Sequence, residues 1–488
     1  MSAIWQAKSP AEKNRTGDGH FTTDACHLNN LTDELSPSLL PCTAPSSTTI
    51  GGPSEASLEA SPCEHRQDRV TINTLPDDVL VEIFHFCVDQ DIRTNGWHTL
   101  VHVCQRWRDV VFASPRRLNL RLWYSGKRPM SEMLDVWPVL PVEISRGPNM
   151  SHFWENVAAA LESEHHHRIC KIGLFYIPTT EWERLAATMQ KPFPELTYLR
   201  FRAEGNTVTS LPDSFLGGSA PLLRELWLAN CYIAPRDLVI ALSVMSRLEI
   251  LALGFRSLLY PASRPPLTRS VLPALTQLTF RGVHEYLEDL LAQIKAPVLN
   301  HLGVSFYTNL GFVIPQLGWL ISQTESFKTC DTAIVYTSSR AIRFTASRGT
   351  NRFPELSLEV RCRELNLQLS LLAQACSSSF LPLSTLVQLD ILDGFPPRHL
   401  EGDVVTAQWL ELLDPFTAVK DLRLSRQIGR HVCQALKKLA EARVDVLPAL
   451  QNTLWEGLEP LDSVPKYIEG FVAARKLSGH PVVVHHWE

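Results

Sequence analysis

The sequence has none of the cysteine patterns that mark a metal site or a disulfide framework. Its eleven cysteines are scattered, their number is odd, and no two of them form a C-x-x-C pair. Metal sites usually need closely spaced ligands, and disulfide frameworks occur mainly in small secreted domains. We therefore expect free, mostly buried thiols in a reducing compartment, which predicts a cytoplasmic or nuclear protein.

Long apolar segments and targeting signals are also missing. No uninterrupted apolar run reaches the roughly 18 residues that a membrane helix needs, and the N-terminal residues MSAIWQAKSP contain no apolar signal core. The net charge of −5 and the isoelectric point near 6.4 give no global attraction to nucleic acid or to an anionic membrane. These absences predict a protein without a membrane span and without a nucleic-acid partner.

Signatures of enzymes are absent as well. The sequence contains no G-x-x-x-x-G-K-[ST] phosphate loop, no G-x-S-x-G nucleophile turn and no H-E-x-x-H zinc helix. The consecutive histidines His165–His167 are expected on one strand, where neighbouring side chains point to opposite faces. We therefore expect no catalytic activity, no cofactor and no metal site.

Residues 1–68 are predicted to be a disordered tail. Between Ser36 and Pro62 the composition is dominated by Ser, Thr, Pro and Gly. Such a segment offers too little apolar surface to offset the entropy of ordering the chain. The first folded residues are therefore expected near residue 69.

Residues 69–118 are predicted to form two or three short amphipathic helices. Pro76 suits a first helical turn, and Asp77 and Asp78 lie beside the positive end of the helix dipole. Apolar residues then follow at helical spacing until Pro115. They are Val79, Leu80, Ile83, Phe84 and Cys87, followed by Leu100, Val103, Cys104, Trp107 and Val111. A module this small cannot bury all of these side chains internally, and we expect some of them to contact a partner protein.

Residues 119–488 are predicted to be an array of strand–helix repeats. The template x-x-Φ-x-x-Φ-x-Φ, in which Φ is apolar, recurs at steps of 27, 27, 25, 27 and 24 residues. These steps fall within the range of about 20–29 residues for leucine-rich repeats, and the Φ-x-Φ alternation makes a strand with one buried face. The copies begin at His167, Pro194, Pro221, Ser246, Pro273 and Pro297, with later, irregular ones at Ser384, Thr417 and Pro448. The predicted fold class is therefore α/β, a short all-α module followed by a leucine-rich-repeat-like solenoid.

In such repeats the x positions around Φ-x-Φ face the concave side of the array. Aromatic residues and arginines, which are enriched in protein-binding hot spots, occupy many of these positions here. We predict that they bind a protein substrate, although an ordinary solvated strand face, which also carries arginines, is the alternative. The predicted substrate-binding residues are Phe175, Tyr198, Arg200, Arg202, Trp227 and Arg281.

The stretch from Leu75 to Pro115 resembles an F-box. It contains LPDDVLVEIF and then LVHVCQRWRDVV, with the Leu-Pro, Ile-Phe and apolar-Val-Cys-x-x-Trp elements of that motif. Over residues 70–488 the chain is similar to a large family of F-box proteins from mushroom-forming fungi. The resemblance implies the substrate adaptor of an SCF-type ubiquitin ligase, in which the F-box binds a Skp-type adaptor that bridges to the cullin. The adaptor interface that it implies comprises Leu75, Pro76, Ile83, Phe84, Val103, Cys104, Trp107 and Val111.

Two other functions stay open at this point. The chain fits an F-box protein that acts outside a ligase as a scaffold, or a repeat-type interaction protein whose N-terminal helices only cap the array. The apolar residues of a cap would be consumed by the first repeat. A docking module would leave Trp107 and Phe84 exposed to a partner.

Overall fold

The computed structural model describes the chain in segments that all belong to one compact unit, Thr71–Glu488. The predicted tail, residues 1–68, lies outside the described residues. The described residues are 72–89, 96–137, 139–145, 152–205, 209–212, 214–255, 269–307, 314–349, 354–362, 365–377, 381, 383–393, 403–441, 446–456 and 466–487.

Helices occur from the beginning to the end of this unit. Within the described ranges, no helix is both long and apolar enough to cross a membrane. Short 3-10 helices cover Ile72–Thr74, Glu164–Arg168, Phe215–Gly218 and Leu383–Thr385. The α-helices are α1 (Asp77–Asp89), α2 (Gly96–Val101), α3 (Gln105–Ala113), α4 (Met130–Val136), α5 (Phe153–Glu162), α6 (Thr179–Thr188), α7 (Pro235–Ser243), α8 (His284–Gln293), α9 (Pro315–Gln323), α10 (Glu325–Lys328), α11 (Leu365–Ser377), α12 (Asp403–Leu413), α13 (Arg426–Glu441) and α14 (Lys466–Leu477).

Short strands alternate with these helices along most of the chain. The pairs β5–β7 and β9–β11 form two small separate sheets. The strands are β1 (Leu122–Tyr124), β2 (Val142–Ser145), β3 (Ile169–Ile177), β4 (Tyr198–Ala203), β5 (Thr209–Ser210), β6 (Glu225–Ala229), β7 (Cys231–Tyr232), β8 (Ile250–Gly254), β9 (Ser270–Val271), β10 (Gln277–Gly282), β11 (Ile294–Lys295), β12 (His301–Tyr307), β13 (Thr332–Thr337), β14 (Ala341–Ser347), β15 (Leu356–Arg361), β16 (Gln388–Asp393), β17 (Asp421–Leu424), β18 (Asn452–Glu456) and β19 (Val483–Trp487).

Among the described residues, the remaining strands form one long sheet of fifteen strands, in the order β1-β2-β3-β4-β6-β8-β10-β12-β15-β14-β13-β16-β17-β18-β19. Every pairing between these described strands is parallel except those of β14, which runs antiparallel to β13 and to β15. Parallel neighbours joined through helices are what repeated strand–helix units produce. The mixed α/β fold with its long, mostly parallel sheet is therefore consistent with the predicted leucine-rich-repeat-like array.

The second Φ of five successive copies and Leu356 of β15 form a ladder of leucines through the core. Strand register places Leu199, Leu226, Leu251, Leu278, Leu302 and Leu356 side by side on six neighbouring strands. All of them are buried. A single repeat cannot bury its own leucine, so the ladder explains why the repeats must stack.

The structure corrects one prediction about the array. His165–His167 lie in the 3-10 helix Glu164–Arg168 and not on a strand. There the rings of His166 and His167 turn back to carbonyl groups three residues earlier, at 2.8 Å from Ser163 O and 2.7 Å from Glu164 O. The sheet also extends beyond the predicted copies, because β1 and β2 precede the first of them and β19 follows the last.

The N-terminal helices share their core with the array. Side chains of α1, α2 and α3 belong to the same buried cluster as the sheet residues. Trp97 of α2 donates a hydrogen bond to the carbonyl of Arg121, immediately before β1, at 3.1 Å, and its ring lies 5.2 Å from that of Trp137. These helices are therefore anchored on the first strand of the sheet.

Candidate protein-binding surfaces

The predicted adaptor-interface residues divide into a buried and an exposed group. Phe84 and Val111 are both 0% exposed. Leu75, Ile83, Cys104 and Trp107 are half-buried, and Pro76 and Val103 are exposed. Phe84 is therefore not left exposed as a docking module would require, and the adaptor-binding role of Phe84 and Val111 stays a prediction. Helices α1 and α3 turn both side chains into the common core, where the Phe84 ring lies 4.8 Å from the Trp107 ring.

A different side of α1 exposes apolar residues to solvent. Val79, Ile83 and Phe86 follow the spacing i, i+4, i+7 and therefore share one side of the helix. We call them the α1 apolar face. Phe86 is 66% exposed, and Val103, in the turn before α3, is 58% exposed. Phe86 was not among the predicted interface residues, although its spacing places it on the same side of a helix as Val79 and Ile83.

An exposed ion pair links α1 to α3. The Arg106 guanidinium of α3 binds the Asp77 carboxylate at 2.7 Å and donates a hydrogen bond to the Leu75 carbonyl at 2.5 Å. Asp77 begins α1, where a carboxylate also faces the positive end of the helix dipole. The segment that carries Leu75 and Pro76 is therefore held beside α3.

The side of the sheet away from the core carries the predicted substrate-binding residues. We call it the open face, defined by the alternate, partly exposed positions of β3, β4, β6, β8, β10, β12, β15 and β14. On β4 and β6, half-buried and buried residues alternate without a break, as the template predicts. Trp227 lies on the open face, and the flanking Leu226 and Leu228 lie in the core.

Five of the six predicted residues meet in one cluster. The Arg200 guanidinium lies 4.8 Å from the centre of the Phe175 ring and 5.0 Å from that of Trp227. Arg202 lies beside it on β4, 4.9 Å from the ring of Tyr176. Arginines held between aromatic rings lose side-chain freedom before any partner arrives. The members of this aromatic–arginine cluster are Phe175, Tyr176, Tyr198, Arg200, Arg202 and Trp227.

The sixth residue, Arg281, belongs to a second cluster. Strand register aligns Arg202, Ala229, Gly254 and Arg281 on four neighbouring strands, so Arg281 lies about 14 Å from Arg202 at about 4.8 Å per strand. Continuing the row, Arg281 is followed by Ser305, Glu359 and Arg343. Of this second cluster, Arg281 alone was among the residues predicted from the sequence.

Glu359 is the centre of the second cluster. Its carboxylate pairs with Arg343 and with Arg361 and accepts a hydrogen bond from Ser305 Oγ at 3.2 Å. Burial alone would raise the pKa of Glu359, but the two arginines outweigh it and hold the pKa below its ordinary value. Asp390 has a weaker partner, Arg423 at 3.8 Å, and there burial raises the pKa. We call Arg281, Arg343 and Arg361 with Glu359 the arginine cluster.

Neither surface has the composition of a metal centre. Among the described residues, no group of three or more His, Cys, Asp or Glu side chains is placed to hold a metal ion. The two open-face clusters contain aromatic rings, guanidinium groups and a single carboxylate. Such groups suit the recognition of another macromolecule.

No family model matches the sequence, and no curated protein matches it. Among solved structures, the chain is similar to the leucine-rich repeat-containing protein LegL7 from Legionella pneumophila. The two share 16% sequence identity over 74% of this chain and 98% of that chain, with a TM-score of 0.28. The similarity of residues 75–115 to an F-box thus stays a resemblance.

Proposed function

We propose that this chain is a protein-interaction adaptor with two binding surfaces and no catalytic role of its own. One is the open face of the array, and the other is the solvent-exposed side of the N-terminal helices. The observation that carries the proposal is the exposure of Phe86 on α1 and of Val103 in the turn before α3, while the opposite side of these helices is buried. Large apolar side chains left in water on a small module are typical of a docking surface.

In its specific form, the proposal makes the chain the substrate adaptor of an SCF-type ubiquitin ligase. The N-terminal helices bind a Skp-type adaptor and through it the cullin, and the open face holds a protein substrate. The F-box-like residues of Leu75–Pro115 support this form, because α1 carries the Ile-Phe element and the Cys-x-x-Trp element runs from the N-cap of α3 into that helix. Ubiquitin transfer then occurs on other subunits, and the chain contributes a high local concentration of the substrate.

A capping role for the same helices is the second candidate. It is favoured by the continuous core and by the Trp97 hydrogen bond to Arg121. In that case the exposed residues Phe86 and Val103 have no partner. The two roles use opposite sides of the helices, so substitutions on the exposed side distinguish them.

The test uses the double variant Phe86→Ala/Val103→Ala in the full chain, with a purified Skp-type adaptor from the same species. Loss of buried aromatic and aliphatic anchors typically costs about 2 kcal/mol or more of binding free energy, so adaptor affinity should fall roughly thirtyfold. Thermal stability should change little, because both side chains are exposed. Titration calorimetry measures the first quantity and circular dichroism the second.

The matched control is Ile240→Ala/Val244→Ala, which removes two exposed apolar side chains at α7 of the array. This control should bind the adaptor like the wild type. If the wild type binds no Skp-type adaptor, the ligase form of the proposal is wrong. If both double variants bind it equally well, the N-terminal helices do not dock through this surface and the capping role stands.

A further inference from the structure

The arginine cluster contains more positive than negative charge. Three guanidinium groups, from β10, β14 and β15, surround the single carboxylate of Glu359. Within the described part of the chain, the cluster therefore has an excess of two positive charges. The protein as a whole has a net charge of −5, so the excess is a local feature of the open face.

Glu359 is fully engaged by two of the three arginines. Arg343 donates hydrogen bonds to its Oε2 atom, with Nε at 2.9 Å. Arg361 and Ser305 donate to its Oε1 atom. Both carboxylate oxygens thus have two donors each, and the structural requirement for burying this charge is met without Arg281.

Arg281 is the member of the arginine cluster whose charge is not paired with a carboxylate. Its side chain is half-buried, and among the described residues it forms neither an ion pair nor a side-chain hydrogen bond. Burial and the neighbouring Arg361 lower its pKa, but a guanidinium remains protonated in any case. A charged fork of five N–H donors is therefore held at the surface of the cluster with its hydrogen-bonding capacity unused.

We propose that the arginine cluster binds an anionic group, a carboxylate or a phosphate, on an extended segment of a protein partner. The proposal rests on the role of the open face as a binding surface and names the chemistry of what it binds. Guanidinium groups recognise both anions through paired hydrogen bonds. The excess charge of the cluster is complementary to such a group, and Arg281 is the residue that contacts it.

The row between the two clusters has room for the segment that carries the anion. Only Ala229 and Gly254 separate Arg202 from Arg281, and in the neighbouring row Ala252 and Thr279 follow Trp227. Small side chains let a peptide backbone approach the sheet closely. About 14 Å corresponds to four or five residues of an extended chain at about 3.3 Å each. A segment of this length with an acidic group at one end reaches from the aromatic–arginine cluster to the arginine cluster.

The test measures the binding of three fluorescein-labelled peptides to the full chain by fluorescence anisotropy. Each peptide has the same Gly/Ser/Ala background and a central run of glutamate, phosphoserine or glutamine. At least one anionic peptide should bind about tenfold more tightly than the glutamine peptide. The Arg281→Gln variant should lose about tenfold or more of that affinity, the value expected for charge-assisted hydrogen bonds. This substitution breaks no ion pair of Glu359, so the fold should be kept.

The control is Arg247→Gln, which removes an exposed arginine before β8 and should leave binding unchanged. Preference for phosphoserine assigns the site to phosphate, and equal binding of glutamate assigns it to anions in general. Equal affinity for the glutamine peptide overturns the proposal, as does an equal loss of affinity in Arg247→Gln.

Binding of the purified Skp-type adaptor is measured in parallel. If the anionic peptides do not bind while the Skp-type adaptor does, the proposed anion site is wrong and the adaptor role stands.

Discussion

The alternation of core and open face predicts opposite outcomes for two neighbouring residues of β6. Leu226 is 0% exposed and lies between Leu199 and Leu251 in the leucine ladder. Leu→Ala substitutions in cores cost about 2–5 kcal/mol, more where the cavity cannot collapse. Hydrogen-bonded strands fix the backbone on both sides of Leu226. We therefore expect the free energy of unfolding to fall by about 3–4 kcal/mol in Leu226→Ala.

Trp227→Ala removes a larger side chain at a smaller cost to stability. The Trp227 ring contacts the Arg200 guanidinium at 5.0 Å, and Nε1 donates a long hydrogen bond of 3.4 Å to Glu225. A partly exposed cation–π contact is worth about 0.5–1 kcal/mol. We therefore expect a loss of about 1 kcal/mol in this variant, although tryptophan has more than twice the side-chain atoms of leucine.

Urea unfolding followed by circular dichroism compares the two variants with the wild type. Because long repeat arrays can unfold in several steps, the midpoint of the first transition is the quantity to compare. Leu226→Ala should lower it clearly more than Trp227→Ala. If the larger shift occurs in Trp227→Ala, the strand register is displaced by one residue, and the whole assignment of open-face residues fails with it.

Two further predictions concern titratable groups, and one concerns Arg281. Because the pKa of Glu359 is held below its ordinary value of 4.5, its stabilising contribution is present above that pH and is lost as the pH falls through the folded-state pKa. The stability difference between wild type and Glu359→Gln should therefore shrink on acidification, as measured by urea unfolding at several pH values. Burial raises the pKa of Cys330 to about 12, so iodoacetamide at neutral pH should label exposed Cys87 in the native protein and Cys330 only after denaturation. Arg281→Gln should raise the thermal midpoint slightly or leave it unchanged, since it removes repulsion from Arg361; a marked fall would show that Arg281 is structural.

The repeat period and the strand faces were predictable because they depend on local patterns. A Φ-x-Φ strand has a fixed period of two, so Leu226 and Trp227 are assigned to opposite sides from sequence alone. The later copies starting at Ser384, Thr417 and Pro448 are confirmed as β16, β17 and β18. Strand β19 was missed because VVVHHW contains a continuous apolar run followed by histidines and does not match the template.

The composition of the surfaces was harder to predict, because it depends on contacts between distant segments. Phe84 and Phe86 both belong to an apolar stretch, and only the packing of α3 against α1 decides which of them is buried. Glu359 and Arg281 are far apart in the sequence and meet because β10, β12 and β15 are neighbours in the sheet. No local pattern identifies a glutamate that is buried by arginines from other strands.

The arginine cluster combines a structural ion pair with a group that the ion pair does not need. Burying Glu359 is tolerable because Arg343 and Arg361 neutralise it and occupy its lone pairs. Adding Arg281 to the same site costs free energy, since it brings a third positive charge to a half-buried place and gains no hydrogen bond. Residues that destabilise the free protein locally are expected where a partner supplies the missing interaction. The excess charge thus distinguishes this cluster from the balanced pair of Asp390 and Arg423, and it is the physical reason to assign binding to Arg281.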